Sequence, residues 1–368
     1  MTLKKRIKNN FYKEYLFFGR GLAIIFVLMA HASNLIISNI SNFSFLTRFF
    51  YEFGGKGVQL FYVVSSITLC LSSFERNEKN YLYFYIRRFF RIVPMYYFAF
   101  LIYFIYKTYY QNQDININFI LKDLFFVSAI FSNNHNETVV PGGYTISTEI
   151  IFYLAFPFLF NFIKKQNLIS LKVMILFMFC FIIYYYSYVN INNLQGMKIL
   201  PHTLAQFIVF FIPTFFIINN FLNKQKNINY IIFFLSFFLT MVSLFKITDL
   251  KILNFYGFFL FFLTLSFISF LNISKNFDYD KNLPLKIILA IGKQSFGIFL
   301  FHFILLDFLV PIISNFFTNI NDIDLLIIFI FNIFFSFIIS YILSILIEKP
   351  GIRFGKTIIK KMKARSFV

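Results

Sequence analysis

Two ionisable residues interrupt an otherwise apolar run near the start of the 368-residue chain, Arg20 and His31. Eleven residues at 100° each return a helix to within about 20° of its starting face, and at 1.5 Å per residue they separate the two side chains by roughly 16 Å. One helix face would then carry a fixed cation near one end and an imidazole toward the other. Ionisable groups inside a spanning helix are costly and mark function, and an imidazole can take and return a proton near neutral pH. A snorkelling arginine and a packing histidine would explain each residue alone, but not the shared face. Glu149 opens a later apolar run and is expected at the depth of His31, where a carboxylate would fix the ring tautomer and stabilise the imidazolium. The plainer reading of Glu149 is a helix-start acid favoured by the dipole. Arg87, Arg88 and Arg91 form a dense basic turn before Pro94, and Arg88 and Arg91 project from one face. Guanidinium groups suit phosphates, although on composition alone anchoring at the membrane surface is the better explanation of such a cluster. His302 and Asp307, five residues apart, fall on different faces of another apolar run, with His302 near its middle either as a functional group or as a packing histidine.

The elements that carry these residues must be membrane helices. Charged residues are 13% of the chain, about half the usual share of a soluble domain, whereas apolar residues reach 59% with 62 Phe. A soluble fold of this size lacks the interior to hide that surface, so lipid takes part of it. The sequence therefore predicts an all-α polytopic integral membrane protein, one transmembrane domain over 1–368 with no separate soluble domain. Ten spans are expected at about 16–37, 57–73, 90–107, 146–163, 169–189, 203–222, 229–247, 252–273, 294–314 and 324–347. The piece 119–131, interrupted by Lys122 and Asp123, is expected at the interface or re-entering. The run from Leu16 to Ile37 is too long for the core of a signal peptide and reads as the first span.

Orientation follows from Lys and Arg. With the N-terminus inside, 26 basic residues fall on the cytoplasmic side and seven outside, Arg20 being the thirty-fourth. Both termini are expected in the cytoplasm, and the net charge of +19 is a membrane-orientation signal rather than a nucleic-acid one. Cys70 and Cys180 lie in apolar runs and cannot build a disulfide framework or a metal site. The phosphate loop, the H-E-x-x-H zinc pair and the G-x-S-x-G elbow are missing, so no metal is expected and no nucleotide hydrolysis.

The same residues resemble the membrane-bound acyltransferase-3 family, the bacterial O-acyltransferases of cell-surface polysaccharides. Arg20 and His31 with ten residues between them match its first motif. Gly57-Val-Gln-Leu-Phe-Tyr-Val-Val-Ser65 resembles its second-helix motif, and Arg88-Phe-Phe-Arg91-Ile-Val-Pro94 its R-x-x-R signature. Glu149-Ile-Ile-Phe-Tyr153 with Pro157, Gly292-Lys-Gln-Ser295 running on to His302, and Glu348-Lys-Pro350 follow in family order. The chain departs from the family at Ser66, where Gly is usual, at Gln59, near which an acid is usual, and at Tyr144, where Trp is usual.

The resemblance implies transfer of an acyl group, most often acetyl, from cytoplasmic acyl-CoA to a sugar hydroxyl, in the bacterial inner membrane. Acetyl-CoA would be a donor substrate rather than a resident cofactor, and the acceptor an O-antigen, capsule, exopolysaccharide or lipid-linked sugar. Arg88 and Arg91, helped by Arg20 or Lys293, would hold the donor phosphates. The thioester arm would run up the first helix to His31 as general base, oriented by Glu149. Ser65, Tyr62 or His302 would stabilise the oxyanion or position the acceptor. A non-catalytic transporter or flippase for a glycolipid or polysaccharide explains the helix count and buried charges, but not the motifs, and no internal repeat of the transporter kind is visible.

Overall fold

The computed structural model describes residues 11–37, 44–76, 80–132, 137–165, 199–218, 226–245, 256–316 and 322–365. The expected span 169–189, with Cys180, lies outside the described residues. Every regular element described is a helix. They are α1 (Phe11–Ile37), α2 (Phe45–Gly54), α3 (Gly57–Arg76), α4 (Tyr81–Ile105), α5 (Ile117–Leu124), α6 (Ser128–Phe131) and α7 (Gly143–Lys165), followed by α8 (Ile199–Ile218), α9 (Lys226–Phe245), α10 (Tyr256–Ser274), α11 (Leu283–Lys293), α12 (Ser295–Phe316), α13 (Asp322–Leu343) and α14 (Lys349–Arg365). Among the described residues five stretches are long and apolar enough to cross a membrane, and six if the bent pair α11–α12 counts as one. Shorter apolar helices, Gln206–Ile218, Asn227–Val242 and Phe259–Ser274, overlap three more of the expected spans, 203–222, 229–247 and 252–273. The chain is a multi-pass membrane protein.

α1 is the hub. It packs against α2, α3, α11, α12 and α13, and Ala23, Ile24, Leu28 and Ala32 are fully buried. Peripheral α9 and α13 instead expose large apolar side chains such as Phe234, Phe238, Phe331 and Phe334, as helices facing lipid do. Small residues let backbones approach the hub: a Cβ on Gly54 would lie 2.4 Å from Ala30 N, and one on Gly57 2.6 Å from Ala23 O.

Two local features shape the site. The stretch 274–293, expected as a cytoplasmic loop, contains α11, which starts at an Asn282 cap with Pro284 beside it and crosses α1 at a glycine contact. A Cβ on Gly292 would lie 1.7 Å from Phe17 O, and one on Gly21 2.1 Å from Ile288 O. The chain then bends by 82° into α12. The bend at Gln294 is held by Ser340 Oγ of α13, which donates to Gln294 O at 2.7 Å. Second, α13 runs into α14 through a π-helical turn, Ser344–Glu348, of the kind that concentrates at functional sites.

Candidate active site

A pocket opens where α1, α3, α4, α7, the α11–α12 bend and the π turn converge. Its lining includes Arg20, Tyr62, Ser65, Arg91, Glu149, Tyr153, Lys293, Ser295 and Glu348. Three cations thus face two carboxylates. Arg20 Nη2 donates to Thr68 Oγ1 at 3.4 Å, and Arg91, Glu149 and Glu348 are its charged neighbours. Glu149 Oε1 accepts from Ser65 Oγ at 2.5 Å and from the Tyr153 hydroxyl. Arg88 lies beside the pocket, its guanidinium 5.6 Å from the Tyr153 ring and 5.7 Å from the Phe84 ring. Lys293, at the end of α11, is exposed at the rim.

On the far side of Phe84 is a second cleft with no carboxylate in its lining among the described residues. Arg76, Arg87 and Lys164 line it together with Ser72, Ser73, Asn80 and Asn161. The Lys164 ammonium is 5.9 Å from both the Phe74 and Phe160 rings. Phe84 lines this cleft and Tyr153 the first pocket, so Arg88 stands between the two.

His31 is elsewhere. Its ring centroid is 5.1 Å from that of His302 and 4.3 Å from that of Phe303, and His31 is partly buried whereas His302 is fully buried. Phe299 links the two regions, lining the pocket and lying 6.0 Å from the His302 ring. The expected meeting of Glu149 with His31 is therefore corrected: Glu149 belongs to the arginine pocket. The reason is the height at which α7 begins. Gly142, just ahead of α7 with φ 75°, abuts Phe299 and Phe303, and Phe303 touches His31. The start of α7 is thus level with His31, and Glu149, six residues further on, is about 9 Å deeper.

The remaining expected residues divide between these regions. Arg20, Arg91, Lys293, Ser65 and Tyr62 are gathered with Glu149, and His302 is gathered with His31. Ser65 and Tyr62 already use their hydroxyl protons within the protein, Ser65 on Glu149 and Tyr62 on Thr145 O at 3.2 Å. Neither is poised as an oxyanion donor in this arrangement. Ser66, where the family usually has Gly, is fully buried and bonds Phe210 O and Thr214 Oγ1, both at 2.7 Å, tying α3 to α8. Glu348 and Tyr153 were missed as site residues, although the Glu348-Lys-Pro350 and Glu149-to-Tyr153 motifs contain them. The π turn brings Glu348 to the pocket.

The loop between α4 and α7 is itself pinned ahead of the start of α7. Asp123 is fully buried, and its Oδ2 accepts from Val139 N at 2.7 Å and Val140 N at 2.9 Å. Burial outweighs these bonds and pushes its carboxyl up to about 6. Lys122 and Glu137 pair at 2.5 Å nearby.

A family model described as an acyltransferase domain, that of the acyltransferase-3 family, matches residues 14–347. No curated protein matches the chain, and no solved structure does.

Proposed function

We propose, starting from the fact that the chain belongs to the acyltransferase-3 family and is a membrane acyltransferase, that it moves acetyl from cytoplasmic acetyl-CoA to a hydroxyl of a cell-surface or lipid-linked saccharide. The observation that carries this reading is that α1 places Arg20 in the arginine pocket and His31 roughly 16 Å further along the same helix, a separation a flexible thioester arm can bridge. Arg88 and Arg91, with Arg20 and Lys293, hold the donor phosphates as point and forked cations do. The second cleft, lined by Arg76, Arg87 and Lys164, takes the nucleotide end. The second cleft lies at the ends of α3, α4 and α7 where the sequence concentrates Lys and Arg, which supports an inside N-terminus and an inner-membrane location.

His31 acts as general base. It removes the proton of the acceptor hydroxyl as the oxygen attacks the thioester carbonyl, the C–S bond breaks as the intermediate collapses, and the leaving thiolate takes that proton back from the imidazolium. Glu149 balances Arg20 and Arg91 and so keeps the donor end of the site ordered; it does not act on the ring.

The test follows labelled acetyl from acetyl-CoA into envelope saccharide, in membranes carrying the wild type, His31→Ala, or the Arg88→Ala/Arg91→Ala double variant. Wild type is expected to give base-labile label and His31→Ala about 10³-fold less. The arginine variant should recover in part at high acetyl-CoA. Equal transfer by wild type and a folded His31→Ala protein would overturn the mechanism.

A further inference from the structure

We propose that His302 is the positioning residue for His31, its Nε2 lone pair receiving the N–H of the His31 ring so that the other His31 nitrogen meets the acceptor hydroxyl. The proposal rests on the acyl-transfer reading and assigns within it the role that Glu149 does not fill.

The tautomer of His302 follows from its partners. Its Nδ1 lies 3.1 Å from Ile298 O and 2.8 Å from Phe299 O. Carbonyl oxygens only accept, so Nδ1 carries the hydrogen, and a neutral ring then has its lone pair on Nε2. That nitrogen is buried and has no hydrogen-bond partner among the described residues. A buried acceptor without a donor is costly and asks what reaches it.

Geometry points to His31. An N–H···N bond of about 2.9 Å between ring edges separates imidazole centroids by about 5 Å, and the observed separation is 5.1 Å at an interplanar angle of 39°. The two rings are not hydrogen-bonded in this arrangement, and catalytic hydrogen bonds often close only when substrate binds. Phe303 lies against both rings, with centroids 4.3 Å from His31 and 4.2 Å from His302, and so covers one side of the pair. Exposure assigns the roles: His302 is fully buried and out of reach of a sugar, whereas His31 is only partly buried.

The backbone around His302 is braced for this. The Tyr103 hydroxyl of α4 donates to Leu300 O at 3.0 Å and accepts from Ile304 N at 3.1 Å. One side chain of α4 thus enters the ladder of α12 on either side of His302, fixing the turn that carries it. In the reaction His302 exchanges no proton: the hydroxyl proton passes to His31 and then to the departing thiolate, while His302 holds the ring.

The experiment uses the full chain in membranes with labelled acetyl-CoA and the membranes' own envelope saccharides. His302→Met, which removes the acceptor, should lower kcat about 10²-fold with KM for acetyl-CoA unchanged within about twofold. His302→Gln, which returns an acceptor oxygen, should regain about tenfold. Adding His302→Met to His31→Ala should cost nothing more, because the two act as one unit. A kcat near that of wild type, a loss confined to KM, or additive losses would each overturn the proposal. A second readout is independent of activity: ¹⁵N-histidine NMR of the four-histidine protein in nanodiscs. His302 should appear as the Nδ1–H tautomer, with an Nε2 resonance that shifts in His31→Ala; an Nε2–H tautomer would overturn the assignment even if the acyl-transfer reading stood. A wild type that transfers no acetyl would remove that reading, and this proposal with it.

Discussion

The arginine pocket and the imidazole pair occupy neighbouring levels of one bundle and are built on opposite plans. The pocket draws side chains from α1, α3, α4, α7, the α11–α12 bend and the π turn, and sets three cations against two carboxylates around an opening. The imidazole pair comes from α1 and α12, has no carboxylate among its described neighbours, and is walled by Phe299 and Phe303. A site that captures a polyanion gains from several cations whose mutual repulsion is balanced by acids. A site that moves one proton gains from a single defined donor and acceptor. On the proposed function the two plans divide substrate capture from chemistry, and they should fail differently.

The largest effect is expected where both regions share a support. Gly292→Ala would drive a methyl group into the Phe17 carbonyl, because α11 cannot retreat from α1 without moving the bend that begins α12. Destabilisation of about 3 kcal/mol or more is expected, read as loss of folded protein and a lower Tm in detergent. A Gly292→Ala protein with wild-type Tm would show that the crossing is looser than described.

A smaller effect separates the regions. Glu149→Gln keeps an acceptor for Ser65 and Tyr153 but leaves Arg20 and Arg91 less compensated. A loss of about 1–2 kcal/mol in stability is expected, discounted because the pocket is open to solvent. Transfer per folded molecule should fall far less than in His31→Ala. A kcat loss as deep as that of His31→Ala would return Glu149 to the imidazole.

The smallest effect concerns the loop that ends at Gly142 above Phe299 and Phe303. The Asp123 carboxyl is raised by burial from the usual 3.8 to about 6, so the folded protein binds its proton more tightly than the unfolded chain. Its contribution is therefore fully present below pH about 4 and is lost as pH rises through about 6. Protection of the Val139 and Val140 amides, corrected for intrinsic exchange, should drop severalfold between pH 4 and pH 7. In Asp123→Asn it should stay flat; equal pH dependence in both proteins would remove Asp123 as its origin.

The residues show what could be read from sequence and what could not. Arg20 and His31 were legible because one uninterrupted helix, α1, carries both, and local periodicity is enough to place them on a shared face. Arg88 and Arg91 were legible for the same reason. The depth of Glu149 was not, because it depends on where α7 begins relative to α1, a tertiary quantity. α11 was hidden by its length: eleven residues with two lysines satisfy neither the span criterion nor a loop signal. Glu348 was hidden because a π turn alters side-chain direction without leaving a mark in composition. The meeting of His31 with His302 joins residues 271 positions apart, and periodicity carries no information at that range.

The glycine crossing of α11 on α1 also sets an order of assembly. α1 is made first, yet its contact at Gly21 is completed only when Ile288 and Gly292 emerge from the ribosome, about 270 residues later. Arg20 therefore enters the bilayer before Glu149, Lys293 and Glu348 exist to surround it. Until then its long side chain has to reach for the headgroups and the water at the membrane surface. The newborn first helix is thus held near that surface by the same charge that later faces the pocket, and closing the pocket is among the last steps by which the chain becomes an enzyme.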